Sequence, residues 1–142
     1  MTLAATPRDI LARSRTIAVV GASRDPGKPG HGIPAELRRY GFRIIPVNPY
    51  AGGEVLFGEP VRGSLLEVDE PVDIVDVFRP AADAPEIARQ AVAIGAGALW
   101  LQSDIVSPEA RGIAEAAGMD YVEDRCTGVE RALGRITAAR SA

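Results

Sequence analysis

The sequence predicts a doubly wound α/β domain with a mainly parallel sheet, and three observations lead there. Short β-branched runs alternate with amphipathic segments along the whole chain. The runs are continuously apolar rather than alternating, as in strands buried on both faces. No internal repeat or low-complexity linker interrupts the 142 residues, which suit one domain with a single core.

Element by element, "PRDILARS" (Pro7 to Ser14) reads as a short leading helix. "TIAVVG" (Thr16 to Gly21) is the first buried strand. "IPAELRRYG" sets Ile33 and Leu37 four apart, with Pro34 suited to a first turn and Gly41 to a C-cap. "FRIIPVNP" (Phe42 to Pro49) is a second strand. Its Pro46 lacks an N–H and argues against a central position.

"EPVRGSLLEV" offers a short strand and a helical turn capped by Ser64. "VDIVDVF" (Val72 to Phe78) is a third long strand. "DAPEIARQAVAIG" is a helix with Asp83 as its cap and Gly95 as its close. "ALWLQ" (Ala98 to Gln102) is the next strand. "SPEARGIAEAAG" is a helix with Ser107 at the cap, Pro108 in the first turn and Gly118 at the end. "MDYVED" supplies a last strand and "GVERALGRITAAR" a closing helix.

Composition limits the functions available. Apolar residues make up 46% and charged residues 25%, ordinary for a globular protein. Sixteen basic against 19 acidic residues leave a net charge of −3, so no global field favours nucleic acid. A polyanionic ligand would need local donors. One cysteine excludes a disulfide within the chain and fits a reducing cytoplasm. One histidine and one cysteine do not make a zinc site of the usual type. The N-terminus has no secretory signal, and nothing reaches the apolar length of a membrane span. The expectation is a cytoplasmic chain with neither a metal nor a membrane partner.

In doubly wound sheets, ligands lie across the carboxyl ends of the strands where strand order reverses. That rule selects "GASRDPGKPGH", "NPY", "RPAA", "QSDI" and "DRC". The first of these is the most informative. Gly21, Ala22 and Ser23 are small enough for a phosphate to approach the backbone, and the following helix start offers N–H groups. Arg24 and Lys28 add charge. The spacing is not Gly-x-Gly-x-x-Gly, and Val47, Asn48 and Pro49 stand where NAD enzymes place a carboxylate on the ribose. An NAD(P)-dependent oxidoreductase or redox sensor is therefore the rival reading, disfavoured on both counts.

The blocks "IAVVGASRDPGKPG", "IIPVNP", "VDIVDVFRP", "ALWLQSDI" and "EDRCTGVE" together resemble the small stand-alone coenzyme A-binding proteins. Those share a Rossmann-like fold with the coenzyme A-binding domain of the succinyl-CoA synthetase α-subunit. The resemblance runs from about Thr16 to Leu133. It implies coenzyme A, or an acyl-CoA, bound across the switch point. It places phosphates on Gly21, Ala22, Ser23 and Arg24, and a ribose phosphate on Lys28. It assigns the adenosine pocket to Val47, Asn48 and Pro49, with Phe78, Arg79 and Pro80 flanking the ligand. Gln102 stands at the family's tryptophan–glutamine strand end. Ser103 and Asp104 depart from the small residue and glycine that usually follow, and a carboxylate at 104 would repel phosphate or narrow the pantetheine path. His31 either contacts a phosphate when protonated or caps the helix start.

No catalytic set is legible. The synthetase reaction needs a phosphohistidine segment and a nucleotide-grasping domain, for which these residues leave no room. "GAS" lacks the second glycine of a nucleophile elbow, so Ser23 is not read as a nucleophile. Cys126 precedes a helix start, which lowers a thiol pKa, and a mixed disulfide with a ligand thiol is one reading. A small residue packed between strand and helix is the other. Trp100 reads as core and the Arg38-Arg39 pair as a solvated helix face.

The expected function is a coenzyme A-binding module, acting as a sensor or carrier or as the detached subunit of a separate synthetase or acyltransferase chain. Self-pairing into a homodimer is compatible with it. An interaction domain with a vestigial nucleotide site is the third reading, and Asp104 is its best support.

Overall fold

The computed structural model describes residues 5–140. Five parallel strands form one sheet: β1 (Thr16–Val20), β2 (Arg43–Val47), β5 (Ile74–Val77), β6 (Ala98–Leu101) and β7 (Asp120–Val122). Their spatial order is β2-β1-β5-β6-β7. The chain runs outward from β1 to β2, then crosses back to β5 and continues the other way. The switch point therefore lies between the carboxyl ends of β1 and β5.

The sheet is buried on both faces, as the apolar runs predict. Ala18, Val20, Val75, Val77, Leu99 and Leu101 face one cluster. It is covered by α3 (Ala84–Ala93) and α4 (Pro108–Ala116). Ile17, Val19, Ile74, Ala98 and Trp100 face the other, together with residues of α1 (Pro7–Ala12) and α2 (Pro29–Arg39). The eight-residue α5 (Thr127–Gly134) packs against α1 and α2 on that side. Trp100 is fully buried, and its Nε1–H donates to the Arg125 carbonyl at 2.8 Å.

Pro46 sits in the edge strand. The outer side of β2 is closed by Arg62, whose N–H donates to the Pro46 carbonyl at 3.0 Å and whose carbonyl receives Asn48 N–H at 2.9 Å. The absent N–H of Pro46 falls on that outer side, where no strand needs it. Ser107 accepts from Ala110 N–H at 3.1 Å and caps α4 as expected. Ser64 and Glu67 form a reciprocal capping box on a single 3-10 turn.

Four local expectations are corrected. First, α2 begins at Pro29, four residues earlier than the sequence suggests, so Pro34 is inside the helix rather than in its first turn. Pro34 cannot donate to the Gly30 carbonyl four residues back. The Ser23 N–H takes that carbonyl instead, at 3.1 Å, so the helix continues without an orphaned acceptor.

Second, a two-stranded hairpin of β3 (Val55–Leu56) and β4 (Glu59–Pro60) stands where only the second strand is expected. Its Phe57-Gly58 turn has both residues at positive φ, 54° and 75°. Third, Asp83 makes no side-chain cap. A 3-10 turn from Ala81 to Asp83 precedes α3 and leaves the Asp83 carboxylate to pair with Arg79 at 2.9 Å.

Fourth, α5 stops at Gly134, because Arg135 turns left-handed at φ 52°. Residues 135–140 are not helical. They are tied down by Ala138 N–H to the Tyr40 carbonyl and Ala139 N–H to the Ser14 carbonyl, at 3.0 and 2.9 Å.

Candidate functional site

The first βα turn and the N-terminus of α2 are held together by two glycines. Gly21 has φ 93°, and a Cβ there would lie 2.7 Å from the Phe78 carbonyl oxygen. A Cβ on Gly30 would lie 2.6 Å from the Gly21 carbonyl oxygen. Both distances are shorter than any side chain tolerates, so this crossing of two backbones requires hydrogen at both positions. The crossing opens the cleft described below.

The intervening loop is braced from within. Ser23 Oγ accepts from Asp25 N–H at 3.0 Å, and an Asp25 carboxylate oxygen accepts from Gly27 N–H at 2.9 Å. His31 Nδ1 lies 2.7 Å from the Ser23 carbonyl. A carbonyl only accepts, so Nδ1 carries the proton. His31 therefore fastens α2 to the loop. The expectation that it caps the helix start is corrected: Lys28 holds the cap position, with no side-chain cap bond. Asn48 works from the β2 side, donating from Nδ2 to the Ala22 carbonyl at 2.9 Å and accepting Tyr50 N–H at Oδ1 at 2.8 Å.

At the switch point these elements enclose an open cleft of about 510 Å³. Of the residues singled out in the sequence, it brings together Gly21, Ser23, Lys28, Asn48, Phe78, Arg79, Pro80 and Gln102. Pro29, Gly30, Ser103 and Ile105 also line it. Its charged lining residues are Lys28 and Arg79, with no carboxylate among them. Asp104 is not on the wall; its backbone N–H is held by Asp124 at 2.7 Å, and its own φ is 69°.

Val47 and Pro49 line a second cleft of about 400 Å³, with Tyr50, Leu65, Ile87 and Gln90. Arg79 lines both clefts, and the second also carries the carboxylates of Asp83 and Glu86. Three expected residues stand apart. Ala22 is fully buried and contributes only its carbonyl, to Asn48. Arg24 pairs with Glu54 and lines neither cleft. His31 also lines neither. Cys126 is half-buried at the cap position of α5 and lies outside both lining sets.

Behind Gln102, and not itself lining the cleft, lies a group that the sequence reading missed. Asp76 is fully buried in β5, paired in register with Val19 and Trp100. Gln102 Nε2 donates to one Asp76 oxygen at 2.5 Å, and Thr127 Oγ1 donates to the other at 3.0 Å. Gln102 Nε2 also donates to Thr127 Oγ1 at 2.8 Å. Burial pushes the Asp76 carboxyl up to about 7, against the pull of these two donors. The available signal was an aspartate inside "DIVDVF", where every other inward position is apolar; only the pairing with Gln102 and Thr127 explains it.

The comparisons agree with this architecture. The Bacillus subtilis uncharacterized protein YneT is 35% identical over 126 residues, covering 89% of this chain and 92% of its own length. The acetate–CoA ligase (ADP-forming) II of Archaeoglobus fulgidus is 33% identical over 103 residues, 71% of this chain. The alignment spans only 15% of that ligase. Among solved structures, that of cell-free ID.343 from Thermus thermophilus superposes with a TM-score of 0.86 at 45% identity, covering 89% of this chain and 95% of that one. Among the described residues, no helix is long and apolar enough to cross a membrane. Residues 15–132 match the family model described as "CoA binding domain", and the chain belongs to that family.

Proposed function

We propose that the chain binds coenzyme A, with the diphosphate over the Gly21–Gly30 crossing and the ligand extended along the carboxyl ends of the strands. One observation carries this reading. The cleft joins a backbone crossing that only glycine permits to Lys28 and to Arg79, whose guanidinium pairs with Asp83, and no carboxylate is among the residues lining it. A diphosphate needs that combination: room to approach the backbone closely and charge-assisted donors beside it.

The ligand's length fits as well. Coenzyme A carries an adenosine with its own phosphate, a diphosphate and a long arm. The two clefts share Arg79 as a lining residue, so such a molecule would pass that side chain to occupy both. Val47 and Pro49 suit the adenosine end, and Phe78, Pro80 and Ile105 offer apolar surface along the arm. Arg24 contributes only general field in this arrangement, because Glu54 engages it.

The role that follows is one of holding coenzyme A for chemistry done elsewhere, by a separate chain of synthetase type. The relatedness to the acetate–CoA ligase (ADP-forming) I subunit alpha of Pyrococcus furiosus supports this, at 34% identity over 87 residues, 58% of this chain and 19% of that subunit.

Calorimetric titration of ligand-stripped protein with coenzyme A, NAD and NADP tests the reading. Saturable coenzyme A binding in the micromolar range, with NAD and NADP at least about tenfold weaker, is expected. Preference for NAD or NADP would replace it with the oxidoreductase reading. Binding of none of the three would favour an interaction domain with a vestigial site.

A further inference from the structure

Of the 16 basic side chains, Lys28 alone is lysine and all the rest are arginine. Arginine is also the cation of every ion pair among the described residues, and Lys28 enters none of them. The Lys28 backbone is fixed. Its N–H donates to the Asp25 carbonyl at 3.0 Å, and its carbonyl accepts from His31 N–H at 3.0 Å and Gly32 N–H at 3.1 Å. Its side chain makes no cap bond, is exposed and lines the first cleft. The carboxylate nearest in sequence, Asp25, is engaged by Gly27 N–H at 2.9 Å. A firmly rooted amine thus stands in the cleft with no partner among the described residues.

The choice of lysine matters. A guanidinium holds a phosphate with two parallel bonds and keeps its charge, whereas a lysine amine is a nucleophile once it has lost its proton. Attraction for phosphate alone would be met by arginine, which the chain uses at every other basic position.

We propose that Lys28 is an acyl acceptor, modified by an acyl thioester of coenzyme A bound in the cleft, and that the modification weakens the site for coenzyme A. This inference rests on the coenzyme A reading and adds a covalent outcome to it. The ε-amine attacks the thioester carbonyl carbon. A C–N bond forms, the C–S bond breaks, the sulfur leaves as the coenzyme A thiolate, and the proton lost by nitrogen goes to it. The products are Nε-acyl-Lys28 and coenzyme A, with no oxidant and no further co-reactant.

Reach comes from the ligand's arm. From β1 to β6 the cleft spans two strand spacings, about 10 Å, and the flexible arm is longer than that. A thioester tethered through its adenosine end meets the Lys28 amine at an effective concentration of about a millimolar. Pairing with a phosphate holds the amine as ammonium and protects it, so the reaction quickens as pH rises. The amide that forms carries no charge, which leaves Arg79, already engaged by Asp83, as the cation of the cleft.

The test incubates the protein with acetyl-CoA at mildly alkaline pH, beside S-acetyl-N-acetylcysteamine, which has the same reacting end and neither adenosine nor phosphate. Trypsin does not cut before Pro29, so Arg24 and Arg38 delimit a peptide, 25–38, in which Lys28 is the one side-chain amine. One acetyl group is expected on that peptide, at a rate that saturates with acetyl-CoA and is suppressed by added coenzyme A. The truncated thioester at equal concentration is expected to react at least about tenfold more slowly. Lys28→Arg should remove the adduct, and the acetylated protein should bind coenzyme A about tenfold more weakly by calorimetry.

No acetyl group on Lys28, a rate that never saturates, or a rate equal to that of the truncated thioester would overturn the proposal. Unchanged affinity of the acetylated protein would do the same. Failure of the untreated protein to bind coenzyme A would overturn the binding reading instead. That titration is read first, so the two failures are distinguishable.

Discussion

The two walls of the cleft are built on different physics. At the β1 end, the Gly21–Gly30 crossing is made of backbone, and the charges around it stand at the surface. Lys28 is exposed, and Arg24 is turned to Glu54. At the β6 end, Asp76, Gln102 and Thr127 are buried and engage one another. The first wall offers attraction to any phosphate that fits. The second is closed on itself, its side chains paired with one another. The contrast is between surface charge beside a close-packed backbone and a buried polar network whose members satisfy one another.

The largest test of this contrast is pH. In the unfolded chain Asp76 titrates near the ordinary 3.8, and in the folded protein near 7. Between those values the unfolded state has released a proton that the folded state keeps. Stability from this group is therefore greatest below about pH 4 and falls as pH rises towards about 7, with no further loss above it. Asp76→Asn should flatten that part of the profile, as read from urea midpoints across the range. A slope unchanged by the substitution would show that Asp76 does not titrate there.

The next effect falls on the opposite wall. Gly30→Ala puts a methyl group against the Gly21 carbonyl. It should cost about 1–3 kcal/mol of unfolding free energy and displace the turn enough to abolish coenzyme A binding. Retained stability together with retained binding would mean that the crossing is looser than its geometry indicates.

Smaller still are the two cations. Lys28→Ala should weaken coenzyme A about tenfold and reduce the salt dependence of binding. Arg24→Ala should stay within about twofold, because Arg24 is an exposed partner of Glu54 outside the cleft. Titrations of both variants at two salt concentrations rank them; the reverse ranking would place the phosphate on the outer side of the loop.

Much of the fold is legible because the signals are local. Apolar β-branched runs mark the strands, Ser107 and Ser64 mark caps, and Pro46 marks an edge. Each depends on a few adjacent residues. The misread elements are those in which a distant group settles the local choice. Pro34 looks like a helix start until Ser23, across the loop, takes the Gly30 carbonyl. Asp83 looks like a cap until Arg79 claims its carboxylate. The β3–β4 strands are two residues each, too short for any period to register.

The same division runs through the candidate site. Sequence alone determined the doubly wound class, the strand ends and the glycine-rich turn with Lys28 beside it. These follow from backbone propensity and from the rule that ligands lie at carboxyl strand ends. Only the tertiary structure decided that Arg24 faces Glu54, that His31 braces Ser23 and that Asp76 lies under Gln102. Asp76 and Gln102 are 26 positions apart, and Asp76 and Thr127 are 51 apart. Their meeting depends on parallel strand order and on α5 packing over the sheet, and no window of the sequence contains either.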